Sequence, residues 1–289
     1  MSTSRPPSLH LSTFSIVGAD PEAGDVGVAV QSKFLAVGAI VPWARGGVGA
    51  AAVQAFPDVT VGPRALDLLA AGADPDAVVD ELVRADPMAA QRQTGLVAAD
   101  GRSASHTGAG CFDHKGSVTG PGYAVQGNVL AGPEVLSAME TAFLDHRGPL
   151  AHRLLAGLQA GQDAGGEKRG MESAALVVAR PGGGYGGNHD RLVDLRVDHH
   201  DDPITRLAEL LEVRDFYFDR TPPSAWFPLA GEVRDEVSTL LRRGGWLEKG
   251  AALPAALMDF MGWENLEERW ADDDHVDPVV LGHLRNVHG

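Results

Sequence analysis

The chain has 289 residues, 44 % hydrophobic and 22 % charged, a balance that supports a packed core and excludes a wholly disordered protein. Its formal charge of −15, from 24 basic and 39 acidic side chains, repels phosphate backbones, and no basic run exceeds Arg242-Arg243, so nucleic acid is excluded as a partner. No apolar run reaches the length of a membrane span and residues 1–11 hold no apolar signal core, which predicts a cytoplasmic location; Cys111 alone excludes an internal disulfide and a cysteine-cluster zinc site.

Residues 1–11, polar and with Pro6-Pro7, read as a disordered tail. Two hairpins follow. Residues 13–18 and 26–32 are strands joined by the turn chemistry of Asp20 to Asp25, and small Gly27 and Ala29 predict close packing on one face. Residues 38–41 and 47–54 read as the next pair. Helices are predicted over 63–71 and 75–85, the second announced by Asp74-Pro75 as cap and first helical residue. Strands return at 95–99 and 102–106 around Asp100-Gly101, and again at 123–126. Helices over 133–144 and 149–161, strands over 173–179 and 192–197, and a helix over 203–218 complete the first part. Antiparallel hairpins alternating with helix pairs predict two packed sheets covered by helices, an α+β arrangement. Thr221-Pro222-Pro223-Ser224 marks a boundary. Beyond it helices are predicted over 229–243, 253–261, 264–270 and 277–287, with Trp226, Trp246, Trp263 and Trp270 expected as a small helical core rather than a ligand platform.

The first strand carries the sharpest chemical reading. Were Thr13 an N-terminal residue, its hydroxyl and its own amine would be adjacent, and an α-amine of pKa about 7.7–8.0 can act as general base near neutrality. Lys33, at the end of the partner strand, would favour the neutral amine by like-charge repulsion. A plain strand residue and a solvated lysine account for the same two positions. Ser32 and Gln54 end neighbouring strands; Gln126 and Asn128 offer amide donors for a carbonyl or oxyanion; Lys168 and Arg169, after Gly165-Gly166, could hold an anionic group. Ser173 is a weaker candidate. The glycine run 182–187 lacks the ending of a phosphate loop, His199-His200-Asp201-Asp202 points successive side chains to opposite sides, Asp272 to Asp274 read as an exposed acidic turn, and Cys111 as an idle buried thiol, so no metal and no cofactor are expected.

Thr13 to Val17, Gly27 to Gly38, Val41 to Arg45, Tyr123 to Leu130, Lys168-Arg169-Gly170 and Val193 to Asp198 together resemble the DUF1028 family, over about residues 12–219. The resemblance implies a four-layer αββα sandwich similar to the N-terminal-nucleophile hydrolases, with Thr13 as nucleophile acting on a small-molecule amide. In the family's pattern the threonine follows the initiator methionine; here twelve residues precede Thr13, so its exposure would require proteolysis. Leu229 to Val233, Leu240 to Arg243, Glu264 to Arg269 and Asp277 to Leu281 resemble a peptidoglycan-binding domain carried by some family members, over 221–289. Two readings follow: a hydrolase of a small amide or related C–N bond, and a non-catalytic protein that binds peptidoglycan or a protein partner through its C-terminal helices. A homodimer is the expectation of the fold class alone.

Overall fold

The computed structural model describes residues 13–289; the tail expected over 1–11 lies outside them. The protein is α+β, and its contacts divide it into two compact units, one ending at Glu209 and one spanning Leu210–Gly289. The boundary expected at 219–221 sits at the proline turn, whereas this division falls inside the helix Pro203–Phe218.

In the first unit, β1 (Thr13–Asp20) and β2 (Asp25–Ser32) form an antiparallel hairpin whose register pairs Thr13 with Ser32 and Gly18 with Gly27. The Asp20 carboxylate accepts the Ala23 N–H at 3.1 Å, and Gly24 takes the left-handed φ of +75° that closes the turn. Next come β3 (Pro42–Arg45), β4 (Gly49–Ala55), α1 (Val61–Ala70) and α2 (Pro75–Ala85). Asp74 caps α2 by accepting the Asp76 N–H, with Pro75 in the first turn, as its sequence predicts. Then follow β5 (Arg92–Ala98), β6 (Ser103–Thr107), β7 (Gly116–Gly120), β8 (Tyr123–Asn128), α3 (Glu134–Asp145), α4 (Leu150–Asp163), β9 (Ser173–Ala179), β10 (Arg191–Val197) and α5 (Pro203–Phe218), whose residues from Leu210 onward belong to the second unit. Two expectations shift here. The strand expected over 38–41 is a 3-10 turn at Val37–Ala39, with the strand starting at Pro42; and β7, which the sequence does not announce, pairs with β8. Gly38 has no room for a side chain, since a Cβ would stand 2.6 Å from that of Ala175, so this stretch packs as a turn against β9.

The strands form two sheets, ordered β10-β9-β2-β1-β8-β7 and β3-β4-β5-β6. The two sheets face each other, β1 against β4 and β5 and β2 against β3, while α3 and α4 cover the larger sheet and α1 and α2 the smaller. Strand alternation sorts the side chains. Val17, Ala19, Val26, Val28 and Val30 enter the layer between the sheets with Ala50, Ala52 and Val97. Gly18 and Gly27 point the other way, beneath α4: a Cβ on Gly18 would meet Leu154 at 3.0 Å, and one on Gly27 would meet the Val177 carbonyl at 2.6 Å. The paired glycines therefore set how closely α4 approaches.

In the second unit β11 (Phe227–Pro228), α6 (Gly231–Arg243), α7 (Leu253–Trp263), β12 (His275–Val276) and α8 (Pro278–His288) enclose a core that includes Val237, Leu241, Leu257, Phe260 and Leu284. The helix expected over 264–270 is reduced to one 3-10 turn at Glu267–Arg269. Asn265 takes a left-handed φ of +58°, which interrupts a helix there, and the buried Arg269 guanidinium beyond it donates to the carbonyls of Asp215 (2.6 Å) and Phe216 (2.5 Å). Of the tryptophans expected as core, Trp246 and Trp270 pack against it in part, and Trp263 is 73 % exposed. No helix among the described residues is long and apolar enough to cross a membrane.

Candidate active site

The buried apolar cluster between the sheets is valine and alanine, and beside one end of it polar side chains from five strands converge. Thr13 opens β1, flanked in register by Ser32 on β2 and Asn128 on β8. Odd-numbered residues of β1 face the second sheet, so Thr13 and Ser15 point to the same interior as Val17. The Thr13 hydroxyl donates to Ser32 Oγ at 3.1 Å. Ser15 donates to Gln54 Oε1 at 2.7 Å and accepts from Gln126 Nε2 at 2.6 Å. Gln54 Nε2 bridges to Gln93 Oε1 (2.8 Å) and reaches the Thr13 carbonyl (3.3 Å). Gln93 also accepts from Asn128 Nδ2 at 3.0 Å and donates to the carbonyl of Gly127 at 2.9 Å. All seven side chains are buried, Asn128 the most exposed at 1 %. Burying amides without partners would cost about 1–3 kcal/mol each, so their mutual bonding is what makes the cluster tolerable and fixes the sheets against each other. One atom is left over: Gln126 Oε1 has no hydrogen-bond partner.

The backbone at this corner is strained. Val129, directly after Asn128, has φ +55°, an unfavourable conformation for a β-branched residue. The carbonyl of Val129 accepts the Lys168 N–H at 2.9 Å, tying the 166–172 loop to this end of the sheet.

Set beside known proteins, the model described as "Family of unknown function (DUF1028)" matches residues 13–207, and so begins at the threonine of the cluster. The chain belongs to this family. A crystal structure of a DUF1028-family protein from Silicibacter pomeroyi is similar at 32 % identity and a TM-score of 0.64, covering 78 % of this chain and 92 % of that one. Residues 217–284 match a second model, "Putative peptidoglycan binding domain". No curated protein matches the chain.

Within this DUF1028 unit the sequence-derived candidates separate into two groups. Thr13, Ser32, Gln54, Gln126 and Asn128 meet in the cluster. Lys33, Lys168 and Arg169 do not join it. Strand alternation turns Lys33 off the Thr13 face, and its ammonium is held by the Met171 carbonyl (2.9 Å) and the Glu172 carboxylate (3.0 Å). The pairing holds the Glu172 carboxyl below its ordinary range, with His199 on its other oxygen. Lys168 is exposed, and Arg169 folds back on Glu167. The amide hydrogens of Gln126 and Asn128 named here are committed to Ser15 and Gln93, so serving an oxyanion would require them to exchange partners.

Two participants in the cluster, and one buried carboxylate outside it, escaped the sequence reading. Ser15 sits two residues after Thr13, and its inward register was the available signal. Gln93 lies just before the strand expected at 95–99, and as a polar residue aligned with Gln54 it is found only once the β4–β5 pairing is known. Glu167 has a fully buried carboxylate that accepts the Lys33 N–H at 2.8 Å. Burial pushes its carboxyl above the usual range, against the opposing pull of Arg169 and that N–H. Ser173, held by Phe34 and Val37, is a structural hydroxyl. The Cys111 thiol is buried and pushed up by desolvation, which leaves it little thiolate. Among the described residues no three His, Cys, Asp or Glu side chains gather as a metal site.

Proposed function

We propose that the first unit is a hydrolase of a small amide or related C–N bond, with Thr13 as an N-terminal nucleophile once residues 1–12 are removed. The observation that carries this reading is the position of Thr13: on a central strand, level with the strand ends at Ser32 and Asn128, its hydroxyl bonded to Ser32, at a polar end of an apolar layer. The stacking of helix pair, sheet, sheet and helix pair supports it as the layer order of the αββα N-terminal-nucleophile fold. In the mechanism the freed amine accepts the hydroxyl proton as Oγ1 attacks the substrate carbonyl carbon. The proton then passes to the departing nitrogen as the C–N bond breaks, leaving an ester on Thr13. Water attacks that ester, gives its proton to the amine, and releases the acid and the free hydroxyl. Gln126 and Asn128 are the donors nearest by register for the developing oxyanion.

In the full chain the Thr13 nitrogen is an amide and cannot serve as base. The test compares three proteins on a panel of small amides: the full chain, a chain released to begin at Thr13, and the released Thr13→Ala variant. Turnover confined to the released wild type is expected. Equal turnover by Thr13→Ala, or by material with an intact bond between residues 12 and 13, refutes the mechanism.

A second reading concerns the other unit. The match over 217–284 supports binding of peptidoglycan by the C-terminal helices. Co-sedimentation of the full chain with insoluble peptidoglycan tests it, and protein left in the supernatant refutes it.

A further inference from the structure

We propose that a cavity of about 540 Å³ in the second unit, walled by Trp226 and Trp270, binds the N-acetylated sugar rings of a glycan strand. The proposal rests on the peptidoglycan-binding reading of this unit and names where and how the ligand sits.

The volume falls within the range of small-ligand sites. One wall is Trp226, set by the 3-10 turn Pro223–Ala225 and anchored by its indole N–H, which donates to the Thr221 carbonyl at 3.0 Å. Trp270 also lines this space and packs in part against the helical core. Below them lies a fixed polar floor. Arg269 and Asp277, both buried, pair at 3.4 Å, and Asp277 also caps α8 through the Val279 N–H at 2.7 Å. At the rim Arg220 donates to Glu268 at 2.9 Å. The guanidinium of Arg269 is already spent on Asp215, Phe216 and Asp277, so the floor holds shape, and the rim is the part able to change partners.

A pyranose ring presents an apolar C–H face and a girdle of hydroxyl and acetamido groups. The slightly positive C–H face suits the negative face of an indole. A carboxylate accepts sugar hydroxyls, and a guanidinium donates to an acetamido carbonyl. Indole walls with a mixed-charge rim match that pattern. Charge decides between the two parts of the polymer: from Arg220 onward the chain carries 7 basic and 12 acidic side chains, a net of −5, which opposes the carboxylates of stem peptides and leaves neutral sugar rings unaffected.

The experiment uses the full chain with two probes, insoluble peptidoglycan and the soluble tetramer of N-acetylglucosamine. Wild type is expected to sediment with the first and to bind the second by calorimetry. Trp226→Ala is expected to weaken tetramer binding about tenfold or more, and Trp226→Phe to restore part of it. Glu268→Gln, which keeps both indoles, is expected to weaken it about threefold. Circular dichroism of each variant should match wild type; if Trp226→Ala unfolds, the Trp226→Phe and Glu268→Gln affinities decide. Variants that bind the tetramer as wild type does would overturn the cavity assignment while leaving the peptidoglycan reading in place. Sedimentation with peptidoglycan but no binding of the tetramer would move recognition to the stem peptide and overturn the proposal. No sedimentation by wild type would overturn the underlying reading and the proposal together.

Discussion

Replacing Gly95 by alanine isolates the contact that couples the two sheets at the Thr13 end. A Cβ at this position would lie 1.9 Å from Gln126 Oε1 and 2.4 Å from its Cδ, about 1.5 Å inside the 3.4 Å at which ordinary contact begins. Gln126 cannot yield by a small rotation, because its Nε2 is bonded to Ser15 at 2.6 Å and its side chain is wholly buried. Either the strands separate or Gln126 leaves, which strips Ser15 of a donor and disturbs its bond to Gln54. Overpacking of a tight core costs about 1–3 kcal/mol. A severed buried hydrogen bond costs about 1–3 kcal/mol more. Gly95→Ala is thus expected to destabilise the first unit by about 2–6 kcal/mol, a large part of the roughly 5–15 kcal/mol that holds a domain folded. Because the chain has two units, a single melting curve does not isolate the effect, and native-state hydrogen exchange on peptides from β1, β5 and β8 is the suitable readout. Protection there should fall by that amount while α6 to α8 keep theirs. In a Gln126→Ala background the clash partner is gone, so adding Gly95→Ala should cost at least about 1 kcal/mol less than in wild type. Unchanged protection in Gly95→Ala, or an equal cost in both backgrounds, would refute the claim that Gln126 is held between the sheets by the missing side chain.

Glu167 gives a pH signature. Its carboxyl is raised above the ordinary 4.5 by burial, so the folded protein binds that proton more tightly than the unfolded chain does, and its contribution to stability is lost as pH rises from 4.5 through the folded value. Glu167→Gln should remove this decline, so the stability difference between variant and wild type, measured by urea unfolding at a series of pH values, should move in favour of the variant over that window; a pH-independent difference would contradict the assignment. Tyr123 donates to Glu140 and is pushed up to about 12, by burial first and then by that carboxylate. The Tyr123 phenol should stay un-ionised in ultraviolet titration until about pH 12, and Tyr123→Phe should abolish that late step. Val129→Gly relieves a left-handed β-branched residue, and is expected to cost nothing or to stabilise by up to about 1 kcal/mol in the same unfolding assay, whereas a loss above about 1 kcal/mol would show that Val129 contributes more by packing than its backbone strain takes away.

What could be read from the sequence, and what could not, follows from the range of the interactions involved. The β1–β2 hairpin and α2 are encoded locally, by alternation, by Asp20 to Gly24 and by Asp74-Pro75, and their own residues suffice to place them. The meeting of Thr13, Ser32, Gln54, Gln126 and Asn128 was accessible because each stands at or within two residues of a strand end. By contrast β7 is Gly-Ser-Val-Thr-Gly, with weak strand propensity and no clear apolar face, and exists because β8 offers it an edge. Gln93 and Gly95 have meaning only across the β4–β5 and inter-sheet pairings, which no local window contains. Lys33 shows the opposite failure. Adjacency in sequence to Ser32 suggested adjacency to Thr13, but a strand turns neighbours to opposite faces, and the lysine went to Glu172.

That last point bears on the chemistry. If the Thr13 amine is to act as a base near neutrality, its proton affinity must be set by what surrounds it, and the lysine expected for that task is engaged elsewhere. What the cluster does offer is a carbonyl, a hydroxyl and amides in an interior without ionic groups among its seven side chains. Burial away from water disfavours the charged form of an amine by desolvation, the same direction that like-charge repulsion would have supplied. The proposed mechanism therefore does not need Lys33: in released protein Lys33→Ala should leave the pH dependence of turnover in place, while Ser32→Ala, which removes the partner of the Thr13 hydroxyl, should lower turnover. A pH profile displaced by Lys33→Ala and untouched by Ser32→Ala would reverse that order and return the lysine to the site.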